Sequence, residues 1–437
     1  MLEQRYSAKL YFQGDDAESA VHRPLSERAA NGELKGCRVK ILLVCAQYQY
    51  GRSELGESIE YTAFLPALRH LGHRVSFFES WAPQGIHDYL ALNRSLIREA
   101  LNFAPDVMFV VQRDYEIWLE TLDYLRDHTG IATQSWTTDD SWKYREVSRF
   151  IAPHYDVITT TYKNVLPKYH KDKNRNVVLT QWAANSAWLF EPLPSNECDF
   201  SVSFVGAARP ARREAVKVLT EQGVDVACFG HGWPNGAVSA EEIPDIMRRS
   251  KVSLNFADSF KNKKRPQLKA RTFEVPGAGG LLLSEAVPDL EDYYKIGEEI
   301  VAFASHEDLV NRVRFLLSNP NRRDEIAWAG HRRTVKEHTY ENRFAPLLEM
   351  SRQRKGCTTP KLRDLGYEYL TLQEKSYALG PGLRVLKKLF LFVFCILFGS
   401  TRGPRAARRC TFELSWRVFG EKTFRAAGLP GRMFPFV

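Results

Sequence analysis

Short apolar runs rich in β-branched residues alternate with amphipathic stretches along most of this chain, and the pattern is played through twice. In the first pass Val39–Val44, Val75–Phe78, Asp106–Val111, Ile131–Trp136, Val157–Thr160 and Val177–Thr180 read as strands. Runs that stay apolar rather than alternating indicate strands covered on both faces, and the helices between them are the crossovers a parallel sheet needs. Ile59–Leu71 has apolar residues at helical spacing and stops at Gly72, and Tyr115–Asp127 repeats the pattern. After a linker at Leu193–Asn196 the series restarts, with strands at Asp199–Val205, Val224–Phe229, Val252–Phe256, Leu281–Ser284 and Ile300–Ala304. Helices are predicted over Pro210–Gln222, Ile243–Arg249, Leu268–Val275, Leu309–Leu317 and Arg323–Glu337. The fold class is therefore α/β, with two Rossmann-like doubly wound domains. Ligands of such sheets bind outside the carboxyl ends of the strands, so the two are expected to face a cleft.

A length of 437 residues suits this organisation, and 44% hydrophobic with 26% charged residues excludes wholesale disorder or a polytopic membrane protein. The formal charge of +9 is localised: residues 357–437 hold 14 Lys and Arg against 5 Asp and Glu, and the remainder holds 47 of each sign. The excess belongs to a tail and gives no ground for a nucleic-acid partner. Seven scattered cysteines without a CxxC pair indicate neither a disulfide framework nor a zinc site, and they fit a reducing, cytoplasmic compartment. Residues 1–36 lack an apolar signal core and read as a flexible leader. The expected domains are 37–195, 196–356 and a basic, partly hydrophobic extension at 357–437.

The densest chemical signal runs from Lys261 to Glu285. Lys261, Lys263, Lys264 and Arg265 precede Pro266, a residue suited to the first turn of a helix. Cations beside free helix N–H groups favour a di-anion such as a diphosphate. Arg271 and Glu274 lie three apart on one helix face, where the carboxylate is placed to accept from vicinal ribose hydroxyls; an ordinary i,i+3 salt bridge in a solvated basic loop is the alternative. Gly206 and Gly230 each end a strand, where glycine permits close approach of a ligand to the backbone. The first is followed by Arg209, Arg212 and Arg213 in a helix opening, without a G-x-G-x-x-G fingerprint for nicotinamide or flavin.

In order, Phe204-Val205-Gly206, Arg212-Arg213, Val226–Gly230 with Gly232-Trp233, Ser253-Leu254-Asn255, Arg271-x-Phe-Glu274-x-Pro-Gly-x-Gly-Gly-Leu-Leu-Leu-Ser-Glu285 and His338-Thr339-Tyr340 with Arg343 resemble the CgeB-like, spore-maturation-protein-type glycosyltransferases of the GT-B group. The likeness covers about residues 196–345 well and residues 37–195 loosely. It implies a donor nucleotide sugar held by the second domain and an acceptor held by the first. By position it implies donor contacts from Gly206, Arg212, Gly230, His231, Asn255, Arg271 and Glu274. Retaining relatives carry an acid eight residues before this glutamate, where this chain has Pro266, so the resemblance does not fix the stereochemistry.

Transfer requires stabilisation of the leaving diphosphate and, for inversion, a base. Asp139 and Asp140 on a strand-end loop, and Glu57 or Glu60 near the first glycine loop, are the candidates, with loop capping as the competing role. Cationic side chains take the phosphate charge, and neither a metal nor a cofactor beyond the donor substrate is expected. The function expected is transfer of a sugar from a nucleotide diphosphate to a glycan, lipid-linked or protein acceptor. A nucleotide-sugar epimerase, or a non-catalytic nucleotide- or glycan-binding structural protein, are the alternatives. In the tail, Leu389–Phe398 is an unbroken apolar run flanked by Arg384, Lys387 and Lys388 before it and Arg402, Arg405, Arg408 and Arg409 after it. At about 1.5 Å per residue it covers half a hydrocarbon core. With the later mixture of Phe412, Trp416, Arg417, Phe419, Phe424 and Arg425, it reads as a peripheral anchor on an anionic inner membrane face.

Overall fold

The computed structural model describes residues 38–81, 84–258, 267–355 and 373–435. The leader at 1–36, and the expectations placed on Lys261, Lys263, Lys264, Arg265 and Pro266, lie outside the described residues. Packing divides the chain into two units: Gly36–Gln181 with Ala345–Val437, called here the first unit, and the second unit Trp182–Phe344.

In the first unit β1 (Lys40–Cys45), β2 (Arg74–Glu79), β3 (Val107–Val110), β4 (Ala132–Trp136), β5 (Val157–Thr160) and β6 (Val177–Leu179) form one parallel sheet in the order β2-β1-β3-β4-β5-β6. All of β3 and β4 is buried, as expected of strands covered on both faces. A π-helical turn at Glu60–Phe64 leads into α1 (Leu65–His70). Helix α2 (Tyr89–Phe103) begins at Asp88, whose side chain accepts from the Ala91 N–H, and α3 (Leu119–Thr129) ends at left-handed Gly130.

The second unit holds β7 (Phe200–Val205), β8 (Val226–Phe229), β9 (Ser250–Asn255), β10 (Leu282–Glu285) and β11 (Val301–Phe303), parallel in the order β11-β10-β9-β7-β8. Helix α4 (Pro210–Glu221) starts on a proline, and α5 (Arg271–Gly277) starts three residues later than Leu268, where the sequence pattern begins. Helices α6 (His306–Ser318) and α7 (Pro320–Glu337) complete it.

The long helix α8 (Pro381–Phe419) is broken at Gly399, where φ is 79°. Its arms pack closely: a Cβ on Gly403 would stand 2.7 Å from Cys395 Cα. Phe412, Trp416 and Phe424 join the first unit's core, where Phe412 lies 5.5 Å from the Tyr115 ring. These three residues are therefore not part of an interfacial mixture. The first unit's core draws them in, while Phe419 and the outer side of the Leu389–Phe398 run stay exposed.

Candidate functional site

The second sheet changes direction at β7: β8 lies on one side of it and β9 on the other. At such a switch point the connections leave in opposite directions and open a crevice at the carboxyl ends. Gly206 follows β7 and Gly230 follows β8. Gly230 has φ 122°, and a Cβ there would stand 2.5 Å from the Gly206 carbonyl oxygen, so glycine is required by conformation and by space. The Gly206 N–H donates to Phe229 O at 2.7 Å, the Ala208 N–H to His231 O at 2.8 Å, and Trp233 Nε1 to Gly206 O at 2.8 Å. The two turns are thereby fixed as one surface. The His231 side chain is exposed, and its backbone supports the turn.

Three guanidinium groups converge on this surface. Arg212, buried on α4, donates from Nε to Asp258 Oδ1 at 2.8 Å and from Nη1 to Ala207 O at 3.2 Å. Arg209 Nη1 reaches Asp258 Oδ2 at 3.2 Å. Arg271 comes from α5: its Nη2 lies 3.1 Å, and Arg212 Nη1 3.4 Å, from where a Cβ on Gly206 would be. Both also lie over the Phe204 ring, at 5.6 and 5.3 Å from its centroid. Burial depresses the Arg271 pKa, Glu274 opposes that, and Arg212 adds like-charge repulsion. For Asp258, burial favours the neutral acid, but Arg212 and Arg209 outweigh it and hold the carboxyl below the usual range.

Glu274 is half-buried on α5, and while its backbone bonds along the helix, its carboxylate forms no hydrogen bond or ion pair among the described residues. Burial raises its pKa, against the pull of Arg271. Arg271 Nε and Asn255 Oδ1 are buried without partners among the described residues. Asn255 is otherwise held by its Nδ2, which donates to Ser284 Oγ at 3.0 Å. Buried polar groups are normally paired, so two orphans beside an unpaired carboxylate mark a place for a polar ligand.

The His338 motif supports α5 from behind. His338 Nε2 donates to Tyr293 O at 2.9 Å, and Nδ1 accepts from Arg343 Nη2 at 3.0 Å. Burial, with Arg343 adding to it, lowers its pKa to about 3, so the ring is neutral. It packs edge-on to fully buried Phe273, which lies between Arg271 and Glu274 in sequence and fixes the turn that carries both. Asp258 was not anticipated, and Glu285, whose Oε2 accepts from the Ala257 N–H at 2.9 Å, was named only as the end of the motif and given no role. Their signal was only a place just past, or at, a strand end.

In the first unit Asp140 is 0% exposed and accepts from Thr137 Oγ1 at 2.8 Å, from Ser148 Oγ and from Tyr169 OH at 2.8 Å. Its lone pairs are occupied by the core, so it braces the turn after β4 and is unsuited to take a proton from a substrate. Asp139 beside it is exposed and holds a left-handed φ of 59°, unusual for a residue with a side chain. Glu60 is buried and paired with Arg113 Nη2 at 3.2 Å. The carboxylate of exposed Glu57 accepts a 3.3 Å bond from Gln47 Nε2 and no other among the described contacts.

The sequence model of the family described as Glycosyl transferase-like matches residues 209–349, the stretch that carries most of these donor-side residues. No curated protein sequence matches the chain. Among solved structures, sucrose-phosphate synthase from Thermosynechococcus elongatus is similar at 12% identity and TM-score 0.52, covering 72% of this chain and 99% of its own. A glycosyltransferase from Rickettsia africae ESF-5 is similar at 11% identity and TM-score 0.51, over 74% of this chain and 100% of its own. An alpha-glucosyltransferase solved with UDP and a DNA 13-mer is similar at 10% identity and TM-score 0.53, over 72% and 99%. At these identities the likeness concerns architecture: two Rossmann-like parallel-sheet domains of the kind found in GT-B glycosyltransferases, here with a helical C-terminal extension.

Proposed function

We propose that this chain is a glycosyltransferase that takes its sugar from a nucleotide diphosphate bound at the carboxyl edge of the second sheet. The observation that carries the reading is the convergence of Arg271 and Arg212 on the Gly206 turn, with the unpaired Glu274 carboxylate one helical turn from Arg271. The diphosphate lies against the glycine turns, its charge met by the two guanidinium groups. Glu274 accepts from the ribose hydroxyls, and Asn255 Oδ1 supplies a further acceptor. As the bond from sugar carbon to phosphate oxygen breaks, its electron pair leaves with the diphosphate, where preorganised cations stabilise it. The acceptor hydroxyl forms the new glycosidic bond. In an inverting reaction its proton passes to an exposed carboxylate of the first unit, for which Asp139 is the first choice and Glu57 the second.

The acceptor class stays as broad as glycan, lipid-linked or protein hydroxyl. Thermal-shift titration with UDP, GDP, ADP and CMP is the first test, since ligand at a hundred times its Kd stabilises the native state by about 2.7 kcal/mol. One nucleoside diphosphate is expected to raise Tm, and Glu274→Ala to remove that rise. A panel without effect, or an unchanged shift in Glu274→Ala, contradicts the reading. Donor turnover with and without added acceptor then separates transfer from epimerisation and from binding alone.

A further inference from the structure

In α8 the residues before Gly399 present two apolar faces. Leu383, Phe390, Leu391 and Phe394 turn inward, and the last three pack against Ala407, Met433 and Phe434. The outward face carries Val385, Leu389, Phe392, Val393, Ile396 and Leu397 at i, i+4, i+7, i+8, i+11 and i+12, between 41% and 68% exposed. That spacing makes one continuous stripe, about 18 Å long at 1.5 Å per residue. A soluble surface rarely leaves so many large apolar side chains together uncovered. Arg384 and Lys388, both exposed, lie along one edge of the stripe, and exposed Arg402 and Arg405 follow on the returning arm.

We infer that this stripe docks the chain on an anionic lipid bilayer, with the helix lying in the plane of the interface. Charge selects the occupant: residues 357–437 carry 14 basic and 5 acidic side chains, and the cations border the apolar stripe, as headgroup phosphates beside acyl chains require. Among the described residues no helix is long and apolar enough to cross a membrane. Tip-first entry would drag Arg402, three residues past the break, into hydrocarbon, whereas an in-plane helix leaves every one of these cations at headgroup depth. The body of the first unit takes the place of the polar face of a free amphipathic helix. This inference stands apart from the nucleotide site.

The full chain is tested by co-sedimentation with phosphatidylcholine vesicles with and without phosphatidylglycerol. Wild type is expected to pellet with the anionic vesicles. The double variant Leu389→Glu with Ile396→Glu should lose at least tenfold in binding with an unchanged thermal unfolding curve, because both side chains are already exposed. Arg384→Glu with Lys388→Glu should weaken binding to anionic vesicles. Absence of wild-type binding, or full retention by the Leu389/Ile396 variant, overturns the proposal. So does a dimer that this variant converts to monomer while wild type ignores vesicles, since a second copy would then be the occupant. Nitroxide labels at V385C and L397C, with the half-buried Cys198, Cys395 and Cys410 replaced along with Cys37 and Cys357, should report equal depth. A much deeper label at 397 would contradict the in-plane orientation.

Discussion

The two sheets reverse strand order in the same manner, yet their carboxyl edges carry charge differently. In the first unit the carboxylates are largely held by their own chain: Glu60 by Arg113, Glu116 by the Arg113 and Asp114 N–H groups, Glu79 by the Gln47 and Trp81 N–H groups, and Asp140 by three hydroxyls. In the second unit the guanidinium groups of Arg209 and Arg212 share one carboxylate, Asp258, and the Glu274 carboxylate has no hydrogen bond or ion pair among the described residues; buried orphan atoms occur in both units, Arg271 Nε and Asn255 Oδ1 here and Arg113 Nε and Thr161 Oγ1 in the first. Topology makes a crevice in both. Whether the crevice is prepared for a charged ligand depends on which groups the fold leaves unsatisfied.

Adjacent residues of the first edge give the sharpest test of that contrast. Asp139→Asn is expected to lower transfer by about 10²–10⁴-fold with Tm and nucleotide binding unchanged, measured as donor turnover with acceptor present. Asp140→Ala should act in the opposite sense. It leaves the buried Ser148 and Tyr169 hydroxyls without their acceptor, while Thr137 keeps the Thr159 carbonyl, so it costs about 3 kcal/mol in chemical unfolding while nucleotide affinity per folded molecule is kept. If the two variants behave alike, the division between a free and a structural aspartate fails.

On the second edge Arg271→Ala removes charge-assisted bonds to phosphate and should weaken nucleoside diphosphate binding about 10–100-fold, with a smaller effect on the nucleoside alone. Acid should weaken binding too. Ribose hydroxyls need ionised Glu274, whose carboxyl pKa burial raises, so affinity should fall as pH drops through the weakly acidic range, and Glu274→Gln should flatten that profile.

His338 gives an effect that is absent at neutral pH and grows only in acid. Its folded pKa, lowered to about 3, lies below the unfolded value near 6.5, so the unfolded chain binds the extra proton between those limits. Stability is complete above about pH 6.5 and falls on acidification by up to about 1.4 kcal/mol per pH unit from this residue. In His338→Gln the acid slope of an unfolding series should be shallower by that amount.

Strands such as β1 and β3 were legible because they are apolar on both faces, and a period-free apolar run has few other uses. Gly206, Arg212, Arg271 and Glu274 were legible because they stand at strand ends or share one helix face. Asp140 was not separable from Asp139 by sequence, since what distinguishes them is burial by Ser148 and Tyr169, brought in from later elements. Asp258 was missed because its significance is a contact with Arg212, 46 residues earlier. In the tail, composition reports apolar and basic residues but not which helix face the body claims, so Phe412 and Trp416 looked alike with Phe392 and Ile396 until packing divided them.

The central claim is that the second sheet's switch point binds a pyrophosphoryl group, and isothermal titration of the nucleoside diphosphate selected by thermal shift tests it most directly. The account predicts a single site in wild type, binding the diphosphate far more tightly than the corresponding nucleoside. In Arg271→Ala that preference should collapse toward the nucleoside's own affinity, with the protein still folded. Equal affinity of wild type and Arg271→Ala for the diphosphate would contradict it.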